Sequence, residues 1–171
     1  MVQILNERIK KIKFVATDVD GVLTDGGMYY SVKGDMMKKF NAKDGMGVSI
    51  LKRNGIPTAI ITKEKNKIVK KWATKMNIKR VFDGISKKED VLQKICKLYN
   101  LSEENIAYIG DDVNDLRILK RVGFSVSPRD ASKEVRDVVD YTCKNLGGNG
   151  AFRELCDLII TKRFGTKKKL Y

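Results

Sequence analysis

Short β-rich segments alternate with helical ones along nearly the whole chain, and this constrains the fold more than any other feature. Such alternation builds a parallel sheet covered by helices on both faces. The spacing predicts strands at Lys13 to Thr17, Pro57 to Thr62, Arg80 to Phe82, Ile106 to Ile109, Gly123 to Val126 and Asp140 to Thr142. Between them Ile68, Val69, Trp72 and Met76 recur at helical spacing, as do Val91, Leu92, Ile95 and Tyr99, so each segment has one apolar face for the core. Gly47 to Asn54 reads as a further helix stopped by Gly55, and Ala151 to Thr161 as a last one before a basic tail at about 163–171, whose final residues are expected to be disordered. With 171 residues, 42% of them hydrophobic, one core and one domain spanning 1–171 are expected.

Gly27 to Phe40 breaks the alternation. Met28-Tyr29-Tyr30 and Met36 to Phe40 are two extended runs around a turn at Val32 to Asp35, which predicts a β-hairpin inserted after the first strand. A lone hairpin is marginal in water, and this one is rich in apolar side chains, so a partner subunit is expected to cover it.

Composition excludes several classes. No apolar run approaches the roughly 20 residues of a membrane helix, and Met1 to Lys13 lacks a signal core, so a soluble cytoplasmic protein with no membrane partner is expected. Cys96, Cys143 and Cys156 form no CxxC pair and read as free thiols. The formal charge of +14 invites a nucleic-acid reading. The lysines are spread along the chain without interleaved aromatics, however, so nucleic acid is not an expected partner, and the field suits an anionic small substrate equally well.

In a parallel sheet, ligands sit beyond the carboxyl ends of the strands. The first strand runs into Asp18-Val19-Asp20-Gly21, the second ends in Thr62, a later helix opens with Ser86-Lys87-Lys88, and the fourth strand leads to Gly110-Asp111-Asp112-Val113-Asn114-Asp115. Each alone has a bland reading as a turn, a cap or a solvated lysine. Placed at one sheet edge in this order they define a site. Converging carboxylates repel one another, and a hard cation such as Mg²⁺ is the usual remedy. With phosphoryl oxygens neutralised, one carboxylate can attack phosphorus and a second can protonate the leaving oxygen, while a lysine and a hydroxyl hold the other oxygens. A bacterial receiver domain gathers similar residues, but its acidic pair precedes the phosphate-accepting Asp, whereas this chain has its acidic loop last.

These residues resemble the haloacid dehalogenase superfamily of phosphatases, with Asp18 to Thr24 as its first motif. DVDGVLTDG at Asp18 to Gly26, FNAKDGMGVSIL at Phe40 to Leu51, YIGDDVND at Tyr108 to Asp115 and GGNGAFREL at Gly147 to Leu155 are similar to the capless branch of octulosonate 8-phosphate phosphatases, over about residues 12 to 158. The resemblance implies a Rossmann-like α/β fold with no cap domain. It implies Asp18 as nucleophile and metal ligand, Asp20 as acid and base that also binds Mg²⁺ through its backbone carbonyl, and Asp111 as third ligand. Thr62 and Lys88 would contact the phosphoryl group, the family spacing from Gly84 favouring Lys88 over Lys87. Asp112 and Asp115 would support lysine and metal, and Glu64 and Asn114, with Asp20 and Lys88, would face the substrate. A homotetramer built through the 27–40 hairpin is also implied.

Two departures concern the substrate. The chain has Thr62-Lys63-Glu64 where octulosonate phosphatases carry Thr-Gly-Arg, and Trp72 where arginine is common. Glu64 resembles relatives that act on nine-carbon sialic-type acids, so the resemblance leaves eight- and nine-carbon 3-deoxy-ulosonate phosphates both open. A similar domain serves as a non-catalytic assembly module when its metal loop is eroded; here Gly110-Asp111-Asp112 is whole.

Overall fold

The computed structural model describes residues 2–165, so the end of the basic tail lies outside the described residues. The chain runs α1 (Val2–Lys10), β1 (Phe14–Thr17), β2 (Tyr29–Ser31), β3 (Gly34–Met37), α2 (Ala42–Arg53), β4 (Thr58–Ile61), α3 (Lys67–Lys75), β5 (Arg80–Phe82), α4 (Asp90–Tyr99), β6 (Ile106–Ile109), α5 (Leu116–Leu119), β7 (Phe124–Ser127), α6 (Lys133–Arg136), β8 (Tyr141–Thr142) and α7 (Ala151–Phe164). Six strands form one parallel sheet in the order β5-β4-β1-β6-β7-β8. β2 and β3 form a separate antiparallel hairpin, and among the described residues no cap domain stands over the sheet.

β1, β4, β6 and β7 are buried along their whole length, as expected of strands covered on both faces. Alternate residues feed two cores. Val15, Ile60, Ala107, Ile109 and Phe124 pack with Val48 and Leu51 of α2, Val69 of α3 and Phe152 and Leu155 of α7. Phe14, Ala16, Ile61, Ile106 and Tyr108 pack on the opposite face with Val91, Leu92 and Ile95 of α4 and Ile118 of α5. Tyr99 stacks at a tilt on Phe14, its ring centroid 4.7 Å away. Among the described residues no helix is long and apolar enough to cross a membrane. Cys143 and Cys156 are buried free thiols, and Cys96 is a free thiol of intermediate burial.

Several boundaries differ from the sequence expectations. α2 starts at Ala42 rather than Gly47, because the Asn41 side chain accepts from the Lys43 N–H and caps it. The hairpin turn is tighter than Val32 to Asp35, since Ser31 pairs with Gly34 and Tyr30 with Asp35. Lys88 lies in a turn ahead of α4 rather than at its opening; the Val91 N–H closes that turn on the Lys88 carbonyl. α7 continues to Phe164, so the helix takes in the expected start of the tail. The charged N-terminal stretch folds as α1, docked on α7 through buried Ile9 and tied to the sheet by a two-pronged pair between Arg8 and Asp140 at 2.6 and 2.9 Å.

Candidate active site

Within the six-stranded sheet the chain passes from β1 to β4 on one side, whereas β6 lies on the other side of β1, so the crevice between the carboxyl ends of β1 and β6 is the point where the chain reverses direction across the sheet. Asp18 leaves β1 into that crevice and Asp111 leaves β6 into it. The Asp18 N–H donates to the Ile109 carbonyl at 3.0 Å, which fixes the two loops against one another. Oxygens of Asp18, Asp111 and Asp115 come together within 4.8 Å of each other.

The three carboxylates are held differently. Asp115 is buried and fully committed: Oδ1 accepts from Lys88 Nζ at 2.7 Å and from the Tyr108 hydroxyl at 2.7 Å, while Oδ2 accepts from the N–H groups of Asp111 at 3.1 Å and Asp112 at 3.5 Å. Four donors exhaust its lone pairs, so it acts on Lys88 and the loop rather than on an ion. Asp18 accepts from Lys88 Nζ at 2.6 Å and from the Val19 N–H at 2.7 Å, leaving lone pairs on both oxygens. No donor among the described residues hydrogen-bonds the Asp111 carboxylate, which rests against the Cα of Gly21; a Cβ there would come within 2.0 Å of its Oδ2.

Electrostatics follow this geometry. Burial, and then the neighbouring Asp115 charge, push the Asp18 carboxyl up to about 7 although Lys88 pulls the other way. Asp111 is pushed up to about 8 by burial and then by Asp18 and Asp115. Lys88 stays firmly protonated because Asp18 and Asp115 outweigh its burial. Burial and the same two carboxylates raise the Tyr108 phenol, so it remains a donor to Asp115. One buried ammonium among three carboxylates leaves negative charge uncompensated, and the oxygens still open, on Asp18 and Asp111, are the hard donors that a Mg²⁺ ion takes.

The other residues singled out in the sequence are spread around this centre. Thr62 follows β4 and is buried; its hydroxyl accepts from the Glu64 N–H at 3.3 Å. Lys87 is exposed while Lys88 reaches the cluster. Asp112 caps the turn at 113–115 by accepting from the Val113 N–H at 2.8 Å, and Asn114 is exposed on that turn. The Asp20 side chain does not join the cluster: Oδ1 accepts from Lys38 Nζ at 2.7 Å and from the Thr24 hydroxyl at 3.3 Å. Lys38 also lies 3.7 Å from Glu64, and Glu64 is half exposed.

Sequence reading missed two participants. Tyr108 lies in a predicted strand, and nothing local marks its hydroxyl as a partner of Asp115. Lys38 is one of 35 basic residues and follows a hairpin strand. The only hint is two lysines set between Met37 and Phe40. The GGNG motif also acquires a place: Gly148 donates its N–H to the Val22 carbonyl at 2.9 Å, and a Cβ on Gly147 would lie 1.9 Å from the Gly21 carbonyl oxygen, so only glycine lets this loop back the Asp18 loop.

Over residues 46–155 the chain matches the family described as haloacid dehalogenase-like hydrolase, and it belongs to that family. It is similar along most of its length to the 3-deoxy-D-manno-octulosonate 8-phosphate phosphatase of Haemophilus influenzae, with 36% identity over 156 residues, 91% of this chain and 87% of that one. The solved phosphatase of the same name from Yersinia pestis superposes with a TM-score of 0.91 at 33% identity, covering 95% of this chain and 88% of the other. That from Moraxella catarrhalis, solved in complex with a magnesium ion, a phosphate ion and a KDO molecule, superposes with a TM-score of 0.90 at 37% identity over 95% and 93% of the two chains.

Proposed function

We propose that this chain is a magnesium-dependent phosphatase that hydrolyses the phosphate monoester of 3-deoxy-D-manno-octulosonate 8-phosphate through an aspartyl-phosphate on Asp18. The observation that carries this reading is the meeting of Asp18 and Asp111, from loops after adjacent strands, within 4.8 Å, with Lys88 alongside. The Mg²⁺ ligands would be the carboxylates of Asp18 and Asp111 and the Asp20 carbonyl, and the bound ion supplies charge neutralisation for the phosphoryl oxygens.

The chain's own residues then divide the work. A carboxylate oxygen of Asp18 attacks phosphorus as the bond from phosphorus to the sugar oxygen breaks, and Asp20 as the acid gives its proton to that oxygen. Water attacks the aspartyl-phosphate in turn, the Asp20 carboxylate takes its proton, and the bond to Asp18 breaks to release inorganic phosphate. Lys88 and Thr62 would hold phosphoryl oxygens, Asp115 keeps Lys88 aimed, Asp112 shapes the loop, and Glu64 and Asn114 line the approach of the sugar acid. The relative from Moraxella catarrhalis, solved with a phosphate ion and a KDO molecule, supports the substrate class. The exposed apolar side chains of the 27–40 hairpin support a homotetramer assembled through it.

The test is Asp18→Asn with saturating Mg²⁺. Phosphate release from octulosonate 8-phosphate should fall by about 1,000-fold or more, as for loss of a covalent nucleophile, with an unchanged circular dichroism spectrum. An unchanged rate rejects the assignment. A nine-carbon 9-phosphate assayed in parallel should turn over more slowly than the eight-carbon ester.

A further inference from the structure

Asp20 would be the residue that moves protons, and its side chain stands outside the carboxylate cluster and is paired with an ammonium. Lys38 Nζ lies 2.7 Å from Asp20 Oδ1, and the Lys38 side chain is 3% exposed although it follows β3 of a hairpin whose large apolar side chains are exposed. The same nitrogen lies 3.7 Å from Glu64 and 3.8 Å from Asp35, whose Oδ2 also accepts from Asn66 Nδ2 at 2.6 Å.

Two explanations compete for such a lysine. It could simply pin the hairpin base to the segment ahead of α3. For that purpose Asp35 with Asn66 already provides the tie, and the shortest contact of Lys38 would have no reason to be with Asp20. The geometry instead commits Oδ1 of Asp20 to two donors, Lys38 and Thr24, and among the described residues no donor reaches Oδ2. A carboxyl group anchored by one oxygen presents the other in a fixed direction, and general acid catalysis depends on that direction.

We propose that Lys38 is a positioning residue, which anchors Asp20 through Oδ1 so that Oδ2 faces the leaving oxygen of the substrate. The inference rests on the phosphatase reading above. Lys38 keeps its own proton throughout; the proton on Oδ2 passes to the sugar oxygen as its bond to phosphorus breaks, and Asp20 is left as the carboxylate.

Single-turnover kinetics on the full chain with Mg²⁺ separate the possibilities, because leaving groups differ in their need for a proton. Release of the sugar acid from octulosonate 8-phosphate requires protonation of a basic alkoxide, whereas p-nitrophenolate departs from p-nitrophenyl phosphate without it. Lys38→Met should slow release of the sugar acid by about 100-fold while p-nitrophenolate release stays within about threefold, the size expected for losing an aligned general acid. Lys38→Arg should recover at least about tenfold of the lost rate. Equal losses with both esters, or no loss with either, would overturn the proposal.

Asp35→Asn weakens the hairpin tie while keeping Lys38 on Asp20, and should leave the ratio of the two rates within about threefold of the parent. A selective loss as large as that of Lys38→Met would assign the effect to hairpin anchoring and also overturn the proposal. Asp18→Asn is run beside them: if it still releases both leaving groups, the phosphatase reading fails, whereas full loss there with an unselective Lys38→Met sinks only the role of Lys38.

Discussion

At Gly21 a hydrogen in place of a methyl decides whether Asp111 can occupy its position. The residue has φ +74°, and an added Cβ would stand 2.0 Å from Asp111 Oδ2, inside any tolerable contact. Gly21→Ala should therefore displace the Asp111 carboxylate, which has no donor among the described residues, and add about 1–2 kcal/mol of backbone strain. The expected result is at least a tenfold rise in the Mg²⁺ concentration giving half-maximal activity, measured by metal titration; an unchanged midpoint would show that Asp111 is not held there for an ion. Asp115 illustrates the opposite arrangement. It belongs to the same cluster, yet its four donors leave nothing for a cation, so proximity alone does not make a ligand.

Among the elements, the packing of α2 on α7 depends on one buried acid. Asp44, in the first turn of α2, accepts through Oδ1 from the Arg153 N–H at 2.8 Å and so satisfies the start of α7, where Gly150 has no side chain to do it. Its other oxygen is buried with no hydrogen-bond partner among the described residues. Burial pushes this carboxyl up to about 6, against the helix N–H groups and Arg153 that favour its charge. The folded state thus holds the proton more tightly than the unfolded chain does. The stabilisation is complete below about pH 4 and lost as pH rises through about 6, a change of about 3 kcal/mol for a shift of this size. Asp44→Asn keeps the acceptor and removes the titration. Urea unfolding should show the variant gaining stability relative to the parent between about pH 4 and pH 6.5, and a constant difference would contradict the assignment. In the sequence, Asp44 reads only as part of a motif shared with a family, since its partner is 109 positions away.

Over the whole molecule, the apolar surface is concentrated on the hairpin: Met28, Tyr29, Tyr30, Val32, Met36 and Met37 are all exposed, Val32 fully. An isolated two-stranded element with such a face is expected to be covered in solution. A Tyr30→Glu and Met36→Glu double variant should lower the mass found by light scattering from that of an assembly to that of a single chain, and a parent that is already monomeric would remove the proposal.

The alternation of segments, the six sheet strands and the order Asp-x-Asp, Thr, Lys, Gly-Asp-Asp were legible in the residues themselves, because strand burial and strand-end chemistry are written in local pattern. Local pattern also brought Ser86-Lys87-Lys88 to the site and the family resemblance picked out Lys88, though neither placed it in the turn that lets it bridge two carboxylates. Folding alone decided that Asp115 is saturated, that Asp111 is left open and that Asp20 turns to Lys38. The same packing joins Asp18 to Lys88, 70 positions distant. Packing sets the distance between such groups, and no periodicity along the chain records it.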